Sequence, residues 1–462
     1  MSDDSASASY VGPGLTHDAV LSKLRALEVK YLRIYWHDYT SSAKCRLVPI
    51  KRVYTALEKS QRFTLSITEA SLGILPNDHL VPGVTATGTY TLLPDWSSLK
   101  SGPAPGHASC YANFLGEDDS LATLCPRGIL SRAVEKAAAA DLTFLVGFEL
   151  EFTVLQRAGA VTSEDEQWDP APKYEMLNND GHAWSMARAL ASWGADNSFG
   201  TVADEIITNL EKCGINIEQF HAEAAPGQYE LVLPPLTPLE ACDTLLHTRQ
   251  IVESAAARRG FRVTLHPRPF GGIGNGCHAH ISITSEKGDH PSVYERFYGG
   301  ILEHFQAIFA FTNSHLTSYE RSVDGLWAGG RWITWGTQNK ETPLRKCQDS
   351  HWEVKVLDGI ANPYLATAAL LFAGTHGAKL RWRDCSGDPA ILNEQERKAL
   401  AIEKKFPADL PQALEALKED HTMVALFGRD VIDRYVSVKH AELDILHNMN
   451  KHQIKHWVFE RY

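Results

Sequence analysis

The segment Phe144-Leu145-Val146-Gly147-Phe148-Glu149-Leu150-Glu151-Phe152-Thr153-Val154-Leu155 sets two carboxylates inside a run that is otherwise apolar, aromatic and β-branched. Such a run predicts a buried β-strand. Two residues apart in a strand, Glu149 and Glu151 share a face. A buried pair of like charges is costly unless something neutralises it, and a metal ion is the usual remedy. An edge strand with two solvated glutamates is the other reading, and the rest of the chain decides between them.

At 462 residues the chain exceeds a single simple core, so more than one domain is expected. A net charge of -11 without a basic run argues against nucleic acid or an anionic membrane surface as the main partner. The eight cysteines are scattered and none forms a Cys-x-x-Cys pair. A disulfide framework and thiolate zinc sites are therefore both poorly supported, and a reducing, cytoplasmic setting fits best. Residues 1–15 read as a disordered tail, with no basic segment or apolar core of a secretory signal. The most apolar stretch, Tyr364 to Gly374, is too short to span a bilayer. It is opened by Asn362-Pro363, a cap followed by proline, and predicts a buried core helix in a soluble chain.

Helices are expected over 16–30, 50–60, 127–140, 180–194, 199–213, 238–259 and 292–313, and in a mostly helical C-terminus from about 394. Strands are expected at 31–36, in short pieces through 61–100 broken by Pro76, Pro82, Gly83, Gly88 and Pro94, in two strands over 215–233, and over 261–283. This order predicts an α+β fold, with a large antiparallel sheet backed by helices. The breaker-rich Ser101-Gly102-Pro103-Ala104-Pro105-Gly106 lies near the end of the first domain.

Three further segments carry chemistry. In His221-Ala222-Glu223-Ala224-Ala225-Pro226-Gly227-Gln228-Tyr229-Glu230, a Pro-Gly turn can fold Glu223 and Glu230 back to one side, with Glu218 just upstream. An acidic surface hairpin is the alternative. In Gly274-Asn275-Gly276-Cys277-His278-Ala279-His280-Ile281-Ser282, alternation puts His278, His280 and Ser282 on one strand face. The glycines fit neither a P-loop nor a dinucleotide fingerprint, and two half-exposed histidines remain an alternative. In His351-Trp352-Glu353-Val354-Lys355, His351, Glu353 and Lys355 share a face. Together these strands offer five glutamates and a histidine. That oxygen-rich set without thiolate suits Mg²⁺ or Mn²⁺, in sufficient number for two ions, and such pairs commonly serve phosphate chemistry.

The order and spacing of these segments, with Ser318-Tyr319-Glu320-Arg321, Trp335-Gly336-x-x-Asn339, Asp358-Gly359-x-Ala361-Asn362-Pro363, Arg46-x-Val48-Pro49 and Leu93-Pro94-Asp95-Trp96, strongly resemble the glutamine synthetase superfamily of type I, including relatives that join glutamate to larger amines. The resemblance covers nearly the whole chain. It implies a small β-grasp-like domain over 16–112 and a catalytic domain over 113–462. It also implies one metal site of Glu151, Glu223 and Glu230 and another of Glu149, His278 and Glu353. Glu218, His280 and Ser282 match nucleotide contacts, and Gly274 belongs to the substrate loop. Arg321 matches a substrate-carboxylate arginine, and Arg345 a phosphate-side arginine. Asp38 matches an aspartate that a neighbouring subunit lends to the amine site. The implied reaction is ATP-dependent amide formation through an acyl phosphate, in a homo-oligomer of stacked rings with ten or twelve subunits.

Several positions depart from the ammonia-using pattern. Trp327 stands where the flap glutamate is expected, and tryptophan cannot act as a general base. Ile273 replaces an asparagine of the substrate loop, Lys340 and His351 replace phosphate arginines, and Lys355 replaces a carboxylate-gripping arginine, losing its bidentate fork. The amine is accordingly expected to be larger than ammonia. Glutamate stays the expected acid because Arg321 is kept. A non-catalytic scaffold or sensor is the competing reading, and phosphoryl transfer to a guanidino group a third.

Overall fold

The computed structural model describes residues 15–157, 174–177, 199–272 and 274–462. The helix expected over 180–194, Ile273 and nearly all of the expected tail lie outside the described residues.

Five strands, β1 (Tyr31–His37), β2 (Ala43–Pro49), β3 (Leu65–Thr68), β4 (Thr89–Ser101) and β5 (His107–Leu115), form a first sheet in the order β2-β1-β5-β4-β3. β1 and β5 run parallel and the other neighbours antiparallel. The residues expected as short strands up to 100 resolve instead into β3 and the 13-residue β4, which runs straight through Pro94. The β4–β5 register shifts between Asp95 and Lys100. A proline with no N–H to give is tolerated beside pairing that is already irregular. β5 continues to Leu115, beyond the expected boundary at 112.

Among the described residues the second sheet has nine strands: β6 (Phe144–Arg157), β7 (Tyr174–Met176), β8 (Gln219–Ala222), β9 (Gln228–Val232), β10 (Arg262–Thr264), β11 (Cys277–Ile283), β12 (Trp335–Thr337), β13 (Leu344–Lys346) and β14 (His351–Val354). Its main path is β12-β13-β14-β11-β6-β9-β8, antiparallel except for β12 with β13, and β7 and β10 also pair with β6. The strand that opened the sequence reading is thus the central strand of this sheet rather than an edge. The span 261–283 is two strands separated by a loop, and 292–313 is two helices, Pro291–Glu303 and Phe305–Thr312, parted at His304. The architecture is α+β, as expected.

The apolar stretch forms helix Pro363–His376, buried along Pro363 to Gly374. The Asn362 side chain accepts from the N–H groups of Tyr364 and Leu365, and Gly377 ends the helix at φ 70°. With every side buried, this helix packs against helices Pro126–Ala138 and Pro291–Glu303. A single hydrophobic core reaches both sheets. At their junction lies a buried ion cluster. Arg127 donates through Nη2 to Asp95 on β4 (2.8 Å) and through Nη2 and Nε to Asp243 on helix Pro238–Arg258 (2.8 and 3.1 Å). Asn113 accepts from Arg127 at 3.2 Å, and the Tyr364 hydroxyl donates to Asp243 at 2.6 Å. Among the described residues, no helix is long and apolar enough to cross a membrane.

Candidate active site

Register builds the site. In antiparallel pairs, residues directly opposite share a face. Glu149 of β6 lies opposite His278 of β11, and Glu151 opposite Glu230 of β9. Further out, His221 of β8 faces Glu230, His280 faces Glu353 of β14, and Arg345 of β13 faces Glu353. Glu223 joins them because its N–H bonds Gln228 O at 2.9 Å across the Pro226-Gly227 turn, with Gly227 at φ 71°. β14 is held in place by Trp352, fully buried and stacked on Tyr298 at 4.2 Å between ring centroids.

The side chains converge. Glu149 accepts from His278 Nδ1 (3.0 Å) and His280 Nε2 (3.1 Å). His278 also meets Glu353 (3.3 Å) and Glu151 (3.5 Å), and His221 meets Glu223 (3.3 Å) and Glu230 (3.5 Å). Glu151 Oε2 accepts from Gln228 Nε2 and Gly276 N–H, both at 2.9 Å. Glu353 is gripped by Arg345 (3.0 Å) and Lys355 (3.2 Å). Arg321, buried, reaches His278 Nε2 at 3.0 Å and the Lys355 carbonyl at 3.2 Å.

The charge is unevenly compensated. Burial alone would raise the Glu149 carboxyl, but its bonds to His278 and His280 hold it well below the usual range. Burial likewise works against Glu353, yet Lys355 and His278 hold it at about 2. Glu223 is lowered by His221 and Ala224 N–H against the same burial cost. Glu230 goes the other way. Burial, then the charges of Glu149, Glu151 and Glu223, push it up to about 9. The cluster holds more carboxylate than its own cations balance, which is the condition a divalent ion relieves.

The donor chemistry fits such an ion. Glu149, Glu230 and His278 offer ligand atoms within 4.8 Å of one another, as do His221, Glu223 and Glu230, and Glu149, His280 and Glu353. These groupings cut across the two triads implied by the sequence. His221 stands with Glu223 and Glu230, while Glu151 is held by Gln228 and Gly276 and turns its other oxygen to His278.

A cavity of about 460 Å³ is lined by Glu149, Glu151, Glu223, Glu230, His278 and Glu353, and by Gly274, Arg321, Trp327, Lys340, Arg345 and Lys355. Lys340 is exposed at its rim. Trp327 is 50% exposed and sits at φ 54°, a left-handed conformation costly for a bulky residue. Its loop carries Gly325 and Gly329 at positive φ and is closed by Arg331 N–H donating to Asp324 (2.9 Å).

Four expected residues do not line the cavity, among them His280, whose Nε2 still reaches Glu149. Glu218 is exposed ahead of β8, its N–H on Val232 O, and Ser282 is half-buried further along β11. Asp38 is 1% exposed within its own chain. Its Oδ1 accepts from the Thr40 and Ser42 N–H groups and the Thr40 hydroxyl, an Asx turn, and its carbonyl accepts from Asn362.

Sequence reasoning missed His221 and Glu341, which also line the cavity. The His221-x-Glu223 spacing, the same as that of Glu149 and Glu151, carried a signal for the first. Glu341 lies in a loop without periodicity, and burial followed by the Asp388 charge raises its carboxyl.

Residues 123–462 match the family described as glutamine synthetase, catalytic domain, and the chain belongs to that family of ligases. It is 38% identical over 446 residues to protein fluG of Emericella nidulans, covering 94% of this chain and 49% of fluG. The chain thus spans about half the length of that relative. Type-1 glutamine synthetase 1 of Dictyostelium discoideum is 26% identical, over 93% of this chain and 89% of that protein. Among solved structures, a GmaS/ADP complex aligns with a TM-score of 0.76 at 24% identity, over 94% of this chain and 97% of that chain, a likeness of fold.

Proposed function

We propose that this chain is an ATP-dependent ligase that joins the side-chain carboxylate of glutamate to an amine larger than ammonia. The observation that carries the reading is the under-compensated carboxylate face of β6, β9, β11 and β14 set in one cavity with Arg321 and Trp327. In the reaction, the γ-phosphoryl group of ATP moves to a carboxylate oxygen and ADP leaves. The amine nitrogen then attacks the acyl carbon, phosphate departs, and the nitrogen gives up a proton. Glu149, Glu151, Glu223, Glu230, His278 and Glu353 would hold two Mg²⁺ or Mn²⁺ ions, which neutralise phosphate charge when bound.

Arg321 and Lys355 supply positive charge on the acid side, and Gly274 leaves room beside them. Arg345 and Lys340 face the phosphates, and Glu218, His280 and Ser282 belong to the nucleotide side. Trp327 offers an aromatic face to an apolar or cationic amine. With Asp38 enclosed, Glu341 is the cavity carboxylate suited to take the amine proton, its raised pKa making it a better base. The same reading places the enzyme in the cytoplasm, as a homo-oligomer of ten or twelve subunits with a domain boundary near 112/113.

A phosphate-release assay with ATP, glutamate and a panel of amines at millimolar Mg²⁺ or Mn²⁺ tests it. Release should depend on the amine and be faster with larger amines than with ammonium. Strict preference for ammonium overturns the choice of amine. ATP binding without amine-dependent release favours the scaffold reading, and a stable phosphorylated product without an amide favours guanidino phosphorylation.

A further inference from the structure

Beside the carboxylate cluster, β11 and the β13–β14 hairpin bring together a different set of ligand atoms. The hairpin is closed by the N–H groups of Cys347 and Gln348, both donating to His351 O at 3.0 Å. This pins Cys347 and His351 at the two ends of one tight turn. On the neighbouring strand, His280 turns its Nδ1 to His351 Nε2 at 2.8 Å. One ligand atom each from His280, Cys347 and His351 lie within 4.8 Å of one another. A tetrahedral ion with metal–nitrogen bonds of about 2.0–2.1 Å and a metal–sulfur bond of about 2.3 Å sets its ligand atoms roughly 3.3–3.6 Å apart, so the triad needs only small side-chain rotations.

The support behind the triad also suits a metal. His280 gives its other nitrogen, Nε2, to Glu149 Oε1 at 3.1 Å. A carboxylate behind an imidazole fixes the ring orientation and leaves the far nitrogen as a ligand, the usual arrangement behind metal-binding histidines. β14 is anchored by the buried Trp352, so His351 does not depend on a mobile loop. All three residues are half-buried, leaving an approach from solvent. The ligand type differs from that next door. One thiolate and two imidazoles favour the zinc class, whereas the carboxylates favour Mg²⁺ or Mn²⁺. The Cys-x-x-x-His spacing also lies outside the Cys-x-x-Cys patterns by which thiolate sites are usually read.

We propose that His280, Cys347 and His351 form a third metal site, with thiolate and imidazole ligands, that takes a zinc-class divalent ion. Coordination displaces the thiol proton of Cys347 and the proton shared by the two imidazoles. Because Glu149 backs His280 and also belongs to the carboxylate cluster, an ion here is wired to the neighbouring site. The assignment stands on the triad's geometry and does not require the ligase reading.

The test is a Co²⁺ titration of the reduced full chain in excess Mg²⁺, which fills the carboxylate sites. Wild type should bind one equivalent with the visible spectrum of tetrahedral Co²⁺ and a thiolate-to-metal charge-transfer band. Cys347→Ser, judged folded by circular dichroism, should lose that band. His351→Ala should lose the tetrahedral spectrum. As a check needing no variant, stoichiometric Zn²⁺ should protect Cys347 from alkylation, read by peptide mass spectrometry. A wild-type spectrum without the thiolate band, the same band in Cys347→Ser, or equal Cys347 alkylation with and without Zn²⁺ would each overturn the proposal. Metal binding with no amine-dependent phosphate release leaves this site standing and removes the ligase reading instead.

Discussion

The ion cluster at Arg127 and the one around Glu149 are both buried, but their charges are closed differently. At Arg127, one guanidinium answers Asp95 and Asp243, and Asn113 and the Tyr364 hydroxyl complete the hydrogen bonds. Asp95 is held below the usual carboxylate range, the Arg127 charge and the Ser97 bonds outweighing burial. Around Glu149, six carboxylates share a cavity, and Glu230 is driven up to about 9 by burial and its neighbours. The first cluster is finished by the chain itself and joins the first sheet to the helical layer. The second is left open on one face, at a cost in stability, and that asymmetry separates a structural joint from a binding site.

Acid should give the largest effect, chiefly through four histidines outside both clusters. Burial holds His37, His247, His266 and His315 at about 3. Between that value and the ordinary 6.5, each takes up a proton only on unfolding. Their stabilising effect is therefore full above about pH 6.5 and falls as pH drops, by up to about 1.4 kcal/mol per pH unit for each. Denaturation across pH 7 to 5 should show steep loss. A flat profile would mean these histidines are solvated.

Removing one member from each cluster comes next. Arg127→Met should destabilise by about 3–5 kcal/mol, because Asp95 and Asp243 are left buried and unpaired. Glu230→Gln should do the reverse in metal-free protein, leaving the melting temperature unchanged or raised, because a neutral amide replaces a carboxyl that its neighbours already hold protonated. Its amide synthesis should nevertheless fall by about 100-fold or more. Equal destabilisation by the two changes would erase the distinction. Tyr364→Phe takes only one hydrogen bond from the closed cluster and should cost about 1–2 kcal/mol by chemical denaturation. The smallest effect on stability, within about 0.5 kcal/mol, is expected for the exposed Trp327→Ala, with a rise in amine KM of about tenfold.

The strands of the site were legible because their polar residues alternate within apolar runs: Glu149 and Glu151, His278 and His280, His351 and Glu353. Their pairing was not legible in that alternation and came only from the family resemblance. That His278 lies opposite Glu149, and Glu151 opposite Glu230, is set by contacts between segments far apart in the chain. Asp38 shows the same limit from the other side. Nothing in its local sequence shows that Asn362 and Tyr462 close over it, bonding Asp38 O and Thr40 O. β4 was read as fragments because Pro94 breaks a regular ladder, and only the neighbouring bulge makes the strand continuous. Glu341 gave no periodic signal at all, since its place in the cavity comes from the path of a loop.

The account rests on the open cluster being completed by metal, and calorimetric titration of metal-free protein with Mn²⁺ tests this most directly. Two ions should bind per chain, with Glu230→Gln losing at least one of them, and binding should raise the wild-type melting temperature. Absence of saturable binding, or unchanged stoichiometry and affinity in Glu230→Gln, would contradict it.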